Sequence, residues 1–354
     1  MWIVLEQVVV RRLIKNTVVE RKKERKKERK MKTALTIFFT SSGFRTLSIV
    51  GFLMSLLPPP AQAQKKQLTD EDRAFMEVVN RPIVYAVPGM ENVRVMRDIR
   101  YTKTDNPNLK MDVFVPPRLS STSRRPAIIL IAGGSGKDGE YEPKNWGIYQ
   151  SYGKMLAASG LVTISFTHRL GFPELALAEG AEDLQALVNH LRENAARYHI
   201  DNENLALVTF SGGGPLLSFG LMGRTPYIRC LVAVYSILDV RENEFALKSV
   251  EKEVRERFSP ANYVKEGAVL PPLLIVRAGK DGIPNLNKIL DAFLQKAIAT
   301  NITIDVMNHP EGVHGFDNKE PHPRSKEIIK RIAEYLKEHL NEENHAPRSL
   351  LTPE

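Results

Sequence analysis

The chain has 354 residues, 43% of them hydrophobic, enough for a full core in one large α/β domain or two smaller ones. Its formal charge of +9 belongs to residues 1–63, which hold 13 Lys/Arg against 4 Asp/Glu, so the remainder carries no net charge, the basic balance says nothing about a nucleic-acid surface on the folded domain, and no nucleic-acid partner is expected. A single cysteine, Cys230, excludes an internal disulfide, and its apolar setting in RCLVAVY reads as a small buried hydrophobe.

The leader comes first. A basic run, RKKERKKERK (Arg21–Lys30), precedes an apolar core, LSIVGFLMSLL (Leu47–Leu57), and then PPPAQAQ. Positive region, short apolar core and small-x-small site together make a secretory signal peptide, with cleavage after Ala63 of Ala61-Gln62-Ala63. The mature chain is then expected to begin at Gln64 and to be secreted or periplasmic. A membrane anchor needs about 20 apolar residues; Arg45 and Pro58–Pro60 leave too few, so no stable span is expected after cleavage. Met31-Lys32 opens a leader of more ordinary length than Met1 does, which makes residues 1–30 an expected artefact of start-site choice.

Residues 64–92 read as an N-terminal extension and 93–340 as the folded domain, with 341–354 a tail. VRVMRDIRYT (Val93–Thr102) and LKMDVFVP (Leu109–Pro116) alternate around a turn and predict a hairpin. Strands follow over Pro126–Gly134, Leu161–Phe166, Asn204–Phe210, Arg229–Ser236, Pro271–Gly279 and Ile302–Met307. Helices are predicted over Ile148–Gly160, Glu179–Tyr198, Gly214–Met222, Leu286–Ala299 and Ser325–Leu340. Apolar strands alternating with helices predict an α/β fold: a mostly parallel twisted sheet with helices on both faces and an antiparallel leading hairpin. Residues 237–270 interrupt the rhythm with a charged helical stretch, either a small cap over the strand ends or a surface excursion.

Ligands of open α/β sheets bind outside the carboxyl ends of the strands. AGGSG follows the first parallel strand, Ser211 the third, Asp281 the strand Pro271–Gly279, and His314 the last. Ser211 stands before three glycines, which fits either an ordinary strand-to-helix turn or a sharp turn that exposes a nucleophile. In the second case Gly212 N–H is placed to meet an oxyanion, as are the N–H groups of Gly133 and Gly134. Asp281 reads as an imidazole-orienting acid or as a plain turn aspartate. His314 lies in a glycine-flanked loop; His168 and His309 are weaker candidates for a base, and His190, His199 and His339 read as helix-surface residues. GGSGKDG fails the phosphate-loop pattern, no dinucleotide fingerprint occurs, and no Cys/His metal spacing is present, so no cofactor or metal is expected.

LIAGGSG, THRLGFPE, the run AEDLQALVNHLRENAARYHIDNENLALVTFSGGG, AGKDGIP and GVHGFD together resemble the α/β-hydrolase superfamily, in particular its dienelactone-hydrolase-like and acetyl-xylan-esterase-like serine hydrolases. The resemblance spans Val93 to Leu340. It implies the α/β-hydrolase fold, with Ser211 as nucleophile, Asp281 as acid, His314 as base, and Gly212 with Gly133 or Gly134 as oxyanion donors. Two positions depart from the pattern: Thr209 stands where G-x-S-x-G has glycine, and Ala132 where H-G-G-G has histidine. Dienelactone hydrolases proper use a cysteine nucleophile, so that activity is not expected of this chain.

The resulting expectation is an exported serine hydrolase that cleaves small-molecule or carbohydrate carboxylic esters through an acyl-enzyme. Its rivals are a peptidase or other acyl hydrolase of the same fold, and a non-catalytic binding protein that keeps the fold.

Overall fold

A computed structural model describes residues 70–133, 141–171, 175–241, 250–319 and 321–340. The proposed leader and the tail 341–354 lie outside the described residues. The chain divides into two compact units, residues 1–76 and 77–354. Of the first, the described part is the beginning of helix α1 (Asp70–Val79), which crosses the boundary.

The second unit is built on one eight-stranded sheet. Its strands are β1 (Arg94–Arg100), β2 (Lys110–Val115), β3 (Arg125–Ile131), β4 (Val162–Phe166), β5 (Ile200–Phe210), β6 (Ile228–Val234), β7 (Leu273–Ala278) and β8 (Asp305–His309). Their order is β1-β2-β4-β3-β5-β6-β7-β8. β1, β2 and β4 pair antiparallel; every neighbour from β4 to β8 pairs parallel. The central strands are largely apolar and buried because both faces are covered.

The principal helices after α1 are α2 (Gly147–Ala158), α3 (Leu177–Glu193), α4 (Leu286–Ala299) and α5 (Pro323–Leu340). Ala127, Ile129 and Ile131 of β3 share a core with Leu184, Leu187 and Leu191 of α3 and with Leu290 and Phe293 of α4. Phe114 of β2 is equally buried but lies outside that cluster and meets α2, where Gly153 allows its ring to approach the helix backbone. The sheet therefore carries helices on both faces. Residues 77–92 are tied to this body: Ile83 N–H donates to Ser151 Oγ (2.8 Å) and Val84 N–H to the Asp317 carbonyl (2.8 Å).

Several elements differ from their sequence-based bounds. The helix expected over Glu179–Tyr198 breaks at Asn194, whose side chain donates to the His190 carbonyl (2.8 Å) and closes α3; a separate turn, Ala195–Tyr198, follows. His199 then takes a left-handed turn (φ 59°) rather than a helical position. The helix expected from Gly214 is a 3-10 turn over Ser211–Leu217, with Pro215 inside it, followed by one α-turn, Ser218–Leu221. β8 starts three residues later than the expected Ile302–Met307 and ends two later, at His309. Ile302 and Ile304 are apolar because they pack on the core from the connecting loop, not because they pair with β7.

Within 237–270, Ile237, Leu238, Val240, Phe258, Ala261 and Val264 are core residues, and a short helix, Lys252–Arg257, lies between them. Residues 242–249 lie outside the described residues.

Candidate active site

Parallel register brings the carboxyl ends of the central strands to one sheet edge. Ile131 pairs with Thr209, Phe210 with Val234, Val234 with Val276, and Ala278 with His309. The loops that leave these ends carry Gly133, Ser211, Tyr235, Asp281 and His314.

Ser211 leaves β5 with φ +51°, a left-handed conformation that a non-glycine residue occupies at a cost of order 1–3 kcal/mol. The turn holds because it is packed too closely to relax. A Cβ on Gly212 would run into the Gly133 carbonyl, and one on Gly133 would lie 2.7 Å from Ser211 Cβ. Both positions thus require glycine for close approach rather than for dihedral freedom. Ile237 N–H donates to the Ser211 carbonyl (2.9 Å), which pins the turn from the β6 side.

Ser211 Oγ lies 2.9 Å from His314 Nε2, and His314 Nδ1 lies 2.8 Å from Asp281 Oδ2. The partners assign the tautomer: Nδ1–H donates to the carboxylate, and Nε2 accepts the serine proton. The other Asp281 oxygen, Oδ1, accepts Ile283 N–H (2.9 Å), so the carboxylate is held at both ends. The Asp281 side chain is 1% exposed and that of His314 13%, which shields the acid while leaving the imidazole within reach of a substrate.

Gly133 N–H points at the Tyr149 hydroxyl over 3.4 Å, a long contact. Gly134 lies outside the described residues. Thr209 fits the turn because Ser236 faces it: Ser236 Oγ donates to the Thr209 carbonyl (3.0 Å), and the two hydroxyls are 3.1 Å apart. The β-branched side chain is thus absorbed between β5 and the end of β6.

The rival histidines serve elsewhere. His309 Nε2 bonds Ser325 Oγ (3.0 Å) beneath α5. His168 is fully buried and bonds the Ala132 backbone carbonyl, which ties the end of β4 to the end of β3. Its own loop is anchored by Arg169, which clamps Asp183 of α3 through Nε (3.0 Å) and a terminal nitrogen (2.8 Å). Burial pulls the His168 pKa down from 6.5 to about 4. Between those values the unfolded chain takes up a proton that the folded chain refuses, so stability is lost as pH falls through this window. The loss due to His168 is about 3 kcal/mol. Urea midpoints of wild type and His168→Gln between pH 7 and 4 check this; the variant should show the shallower decline, and equal slopes would refute it.

Behind Ser211, His314 and Asp281 lies a group that sequence reasoning missed. Asp317, fully buried, accepts the Tyr152 hydroxyl at Oδ2 (3.0 Å) and the Tyr235 hydroxyl at Oδ1 (2.7 Å). The Tyr235 ring lies 4.7 Å from the imidazole of His314, and Phe210 packs against the rings of Tyr149 and Tyr152. The signal was a carboxylate three residues past the histidine in GVHGFD; its tyrosine partners lie 165 and 82 residues away and carry none of their own. Among the described residues, no group of three or more His, Cys, Asp or Glu comes together to hold a metal ion, and no helix is long and apolar enough to cross a membrane.

Two family models match the chain: BD-FAE over residues 111–227, and the prolyl oligopeptidase family over residues 174–343. No curated protein matches it in sequence. Among solved structures, Thermogutta terrifontis esterase Est2 with butyrate bound is similar at a TM-score of 0.55 and 18% identity, over 71% of this chain and 95% of that one. Esterase B from Lactobacillus rhamnosis, in a structure with a C4-C4 SN3 tributyrin phosphonate, is similar at a TM-score of 0.58 and 18% identity, over 72% and 87% of the two chains. The fold is the α/β-hydrolase fold. The two family matches, running together from β2 to the last helix, support a serine hydrolase of the α/β-hydrolase superfamily. They leave its dienelactone-hydrolase and acetyl-xylan-esterase branches undistinguished.

Proposed function

We propose that the protein is an exported serine esterase that cleaves carboxylic esters through an acyl-enzyme. The observation that carries this reading is the unbroken chain from Ser211 Oγ to His314 Nε2 (2.9 Å) and from His314 Nδ1 to Asp281 (2.8 Å), with the serine raised on a left-handed turn. A serine hydroxyl is a weak nucleophile until a base takes its proton, and this geometry supplies the base at hydrogen-bond distance.

In the first step Ser211 Oγ attacks the ester carbonyl and its proton passes to His314 Nε2. The carbonyl oxygen becomes an oxyanion, met by the N–H groups of Gly212 and Gly133. The long contact from Gly133 to Tyr149 is readily exchanged for the shorter, charge-assisted one. The ester C–O bond then breaks, and the alcohol leaves with the proton from Nε2. Water attacks the acyl-serine, gives its proton to Nε2, and the acid departs as the proton returns to Ser211. Asp281 keeps Nδ1 protonated throughout and stabilises the imidazolium.

The butyrate and tributyrin-derived ligands of the two similar esterases favour short acyl chains, on a small-molecule or carbohydrate alcohol. Export rests on the leader, with cleavage after Ala63. A second reading, hydrolysis of peptide bonds, rests on the match to the prolyl oligopeptidase family over residues 174–343. One experiment separates them. The protein is treated with a fluorophosphonate, the labelled peptide is mapped, and rates are taken on p-nitrophenyl acetate and butyrate and on a panel of peptide p-nitroanilides. Label on Ser211 with ester turnover supports the esterase. Label with peptide cleavage alone selects the peptidase, and label elsewhere or nowhere overturns both.

A further inference from the structure

His314 faces two carboxylates, and the triad uses one. Asp281 bonds it directly; Asp317 reaches it through Tyr235. Asp317 has given up all contact with solvent, and each of its oxygens is taken by a tyrosine hydroxyl, from Tyr152 on α2 and from Tyr235 at the end of β6. A carboxylate in such a place is costly unless its charge is used. Tyr235 is itself held in a disfavoured conformation, with φ +37°, its N–H fixed to the Val276 carbonyl (2.8 Å). That backbone sets its ring 4.7 Å from the imidazole of His314, tilted by 59°. Phe316 packs edge-on against the same ring, at 5.7 Å. Ring and carboxylate both favour a positive charge at the imidazole, the first through its π face and the second through its charge.

We infer that Asp317, acting through Tyr235, is a positioning residue for His314: it fixes the imidazole against Ser211 and stabilises the cation formed when the serine proton is transferred. The inference rests on the reading of His314 as the base.

The other groups around His314 do not supply this. Asp281 is engaged at Nδ1, and Arg277 lies close enough to act on its charge. Lys280 and Glu311 pair with each other at the surface, and the Lys319 side chain lies over Gly315. Tyr149 and Tyr152 stay neutral, since burial pushes their hydroxyl pKa values up. Burial also raises the Asp317 pKa, while the two tyrosine hydroxyls and His314 itself oppose that rise.

The test is the pH profile on p-nitrophenyl butyrate for Asp317→Asn and Tyr235→Phe, with His314→Ala measured alongside. Asp317→Asn should lower kcat about tenfold with KM nearly unchanged, and should move the acidic limb of kcat/KM to lower pH by about one unit. Tyr235→Phe keeps the ring but drops the link to the carboxylate, and should move both in the same direction by less. If Asp317→Asn does not fold, Tyr235→Phe decides alone. An acidic limb that stays in place, with activity falling only in step with the folded fraction, overturns the inference. Retained activity in His314→Ala overturns the base itself, a separate failure from an unmoved limb with His314→Ala inactive.

Discussion

Replacing Ser211 with alanine is expected to lower kcat on p-nitrophenyl esters by about a millionfold, the scale on which members of such a triad act as a unit. The physical reason is local. Oγ is the atom 2.9 Å from His314 Nε2, and no other described hydroxyl bonds that nitrogen. Without it the imidazole has no proton to take, and covalent catalysis stops. The oxyanion donors and the binding surface remain, so a residual rate of about 10³–10⁴ over water should persist. Folding should change little: alanine meets the same backbone cost at φ +51°, and the packing of Gly133 and Gly212 against the turn does not involve Oγ. The check is kcat together with a thermal melt and fluorophosphonate labelling. Loss of both turnover and label with an unshifted melt is the expected outcome; full turnover in a labelled variant would remove Ser211 from the mechanism.

The fold was legible where burial is two-sided. Ile128, Ile129, Val208, Val232 and Ile275 are fully buried in the central strands, and such runs announce a covered parallel sheet directly. Legibility failed at the edges. β8 has one strand neighbour, so Asp305, Val306 and Asn308 face outward and its pattern is mostly polar. The apolar Ile302 and Ile304 just before it look more strand-like than the strand itself. Asn194 breaks a helical pattern with neither Gly nor Pro near the break, because its side chain can serve as a backbone cap, an option that periodicity does not encode.

The candidate site divides the same way. Ser211, Asp281 and His314 each follow a strand, and the rule that ligands meet the carboxyl ends of parallel strands singled them out without coordinates. Thr209 stands where the G-x-S-x-G pattern has glycine, and only the register of β5 with the end of β6 reveals Ser236 as the group that accommodates it. His168 reaches the Ala132 backbone from a different strand end, a contact in space that no local pattern records. Asp317 was equally hidden. A carboxylate on a short helical turn, Phe316–Lys319, reads as solvent-facing until the two distant tyrosines are seen to enclose it.

Asp281→Asn is expected to lower kcat by about 10⁴-fold while leaving the fold intact. The size follows from which atoms the amide can imitate. Oδ1 accepts Ile283 N–H (2.9 Å), and the amide oxygen can keep that bond. The amide nitrogen then faces His314 Nδ1, where the carboxylate oxygen stood at 2.8 Å. Two donors cannot share that contact, so Nδ1 gives up its proton and the imidazole carries it on Nε2 instead. Nε2–H now points at Ser211 Oγ, and the nitrogen that should accept the serine proton already holds one. The negative charge that stabilised the imidazolium is lost at the same time. Both effects act on the transition state, so kcat should fall far more than KM rises. The packing cost is small because Asn and Asp have nearly the same shape in a pocket where the side chain is 1% exposed. Steady-state kinetics with a thermal melt test this. A variant that keeps more than about a tenth of wild-type kcat would mean that another group orients His314, and a fall in kcat matched by a collapsed melt would mean that Asp281 holds the loop rather than the tautomer.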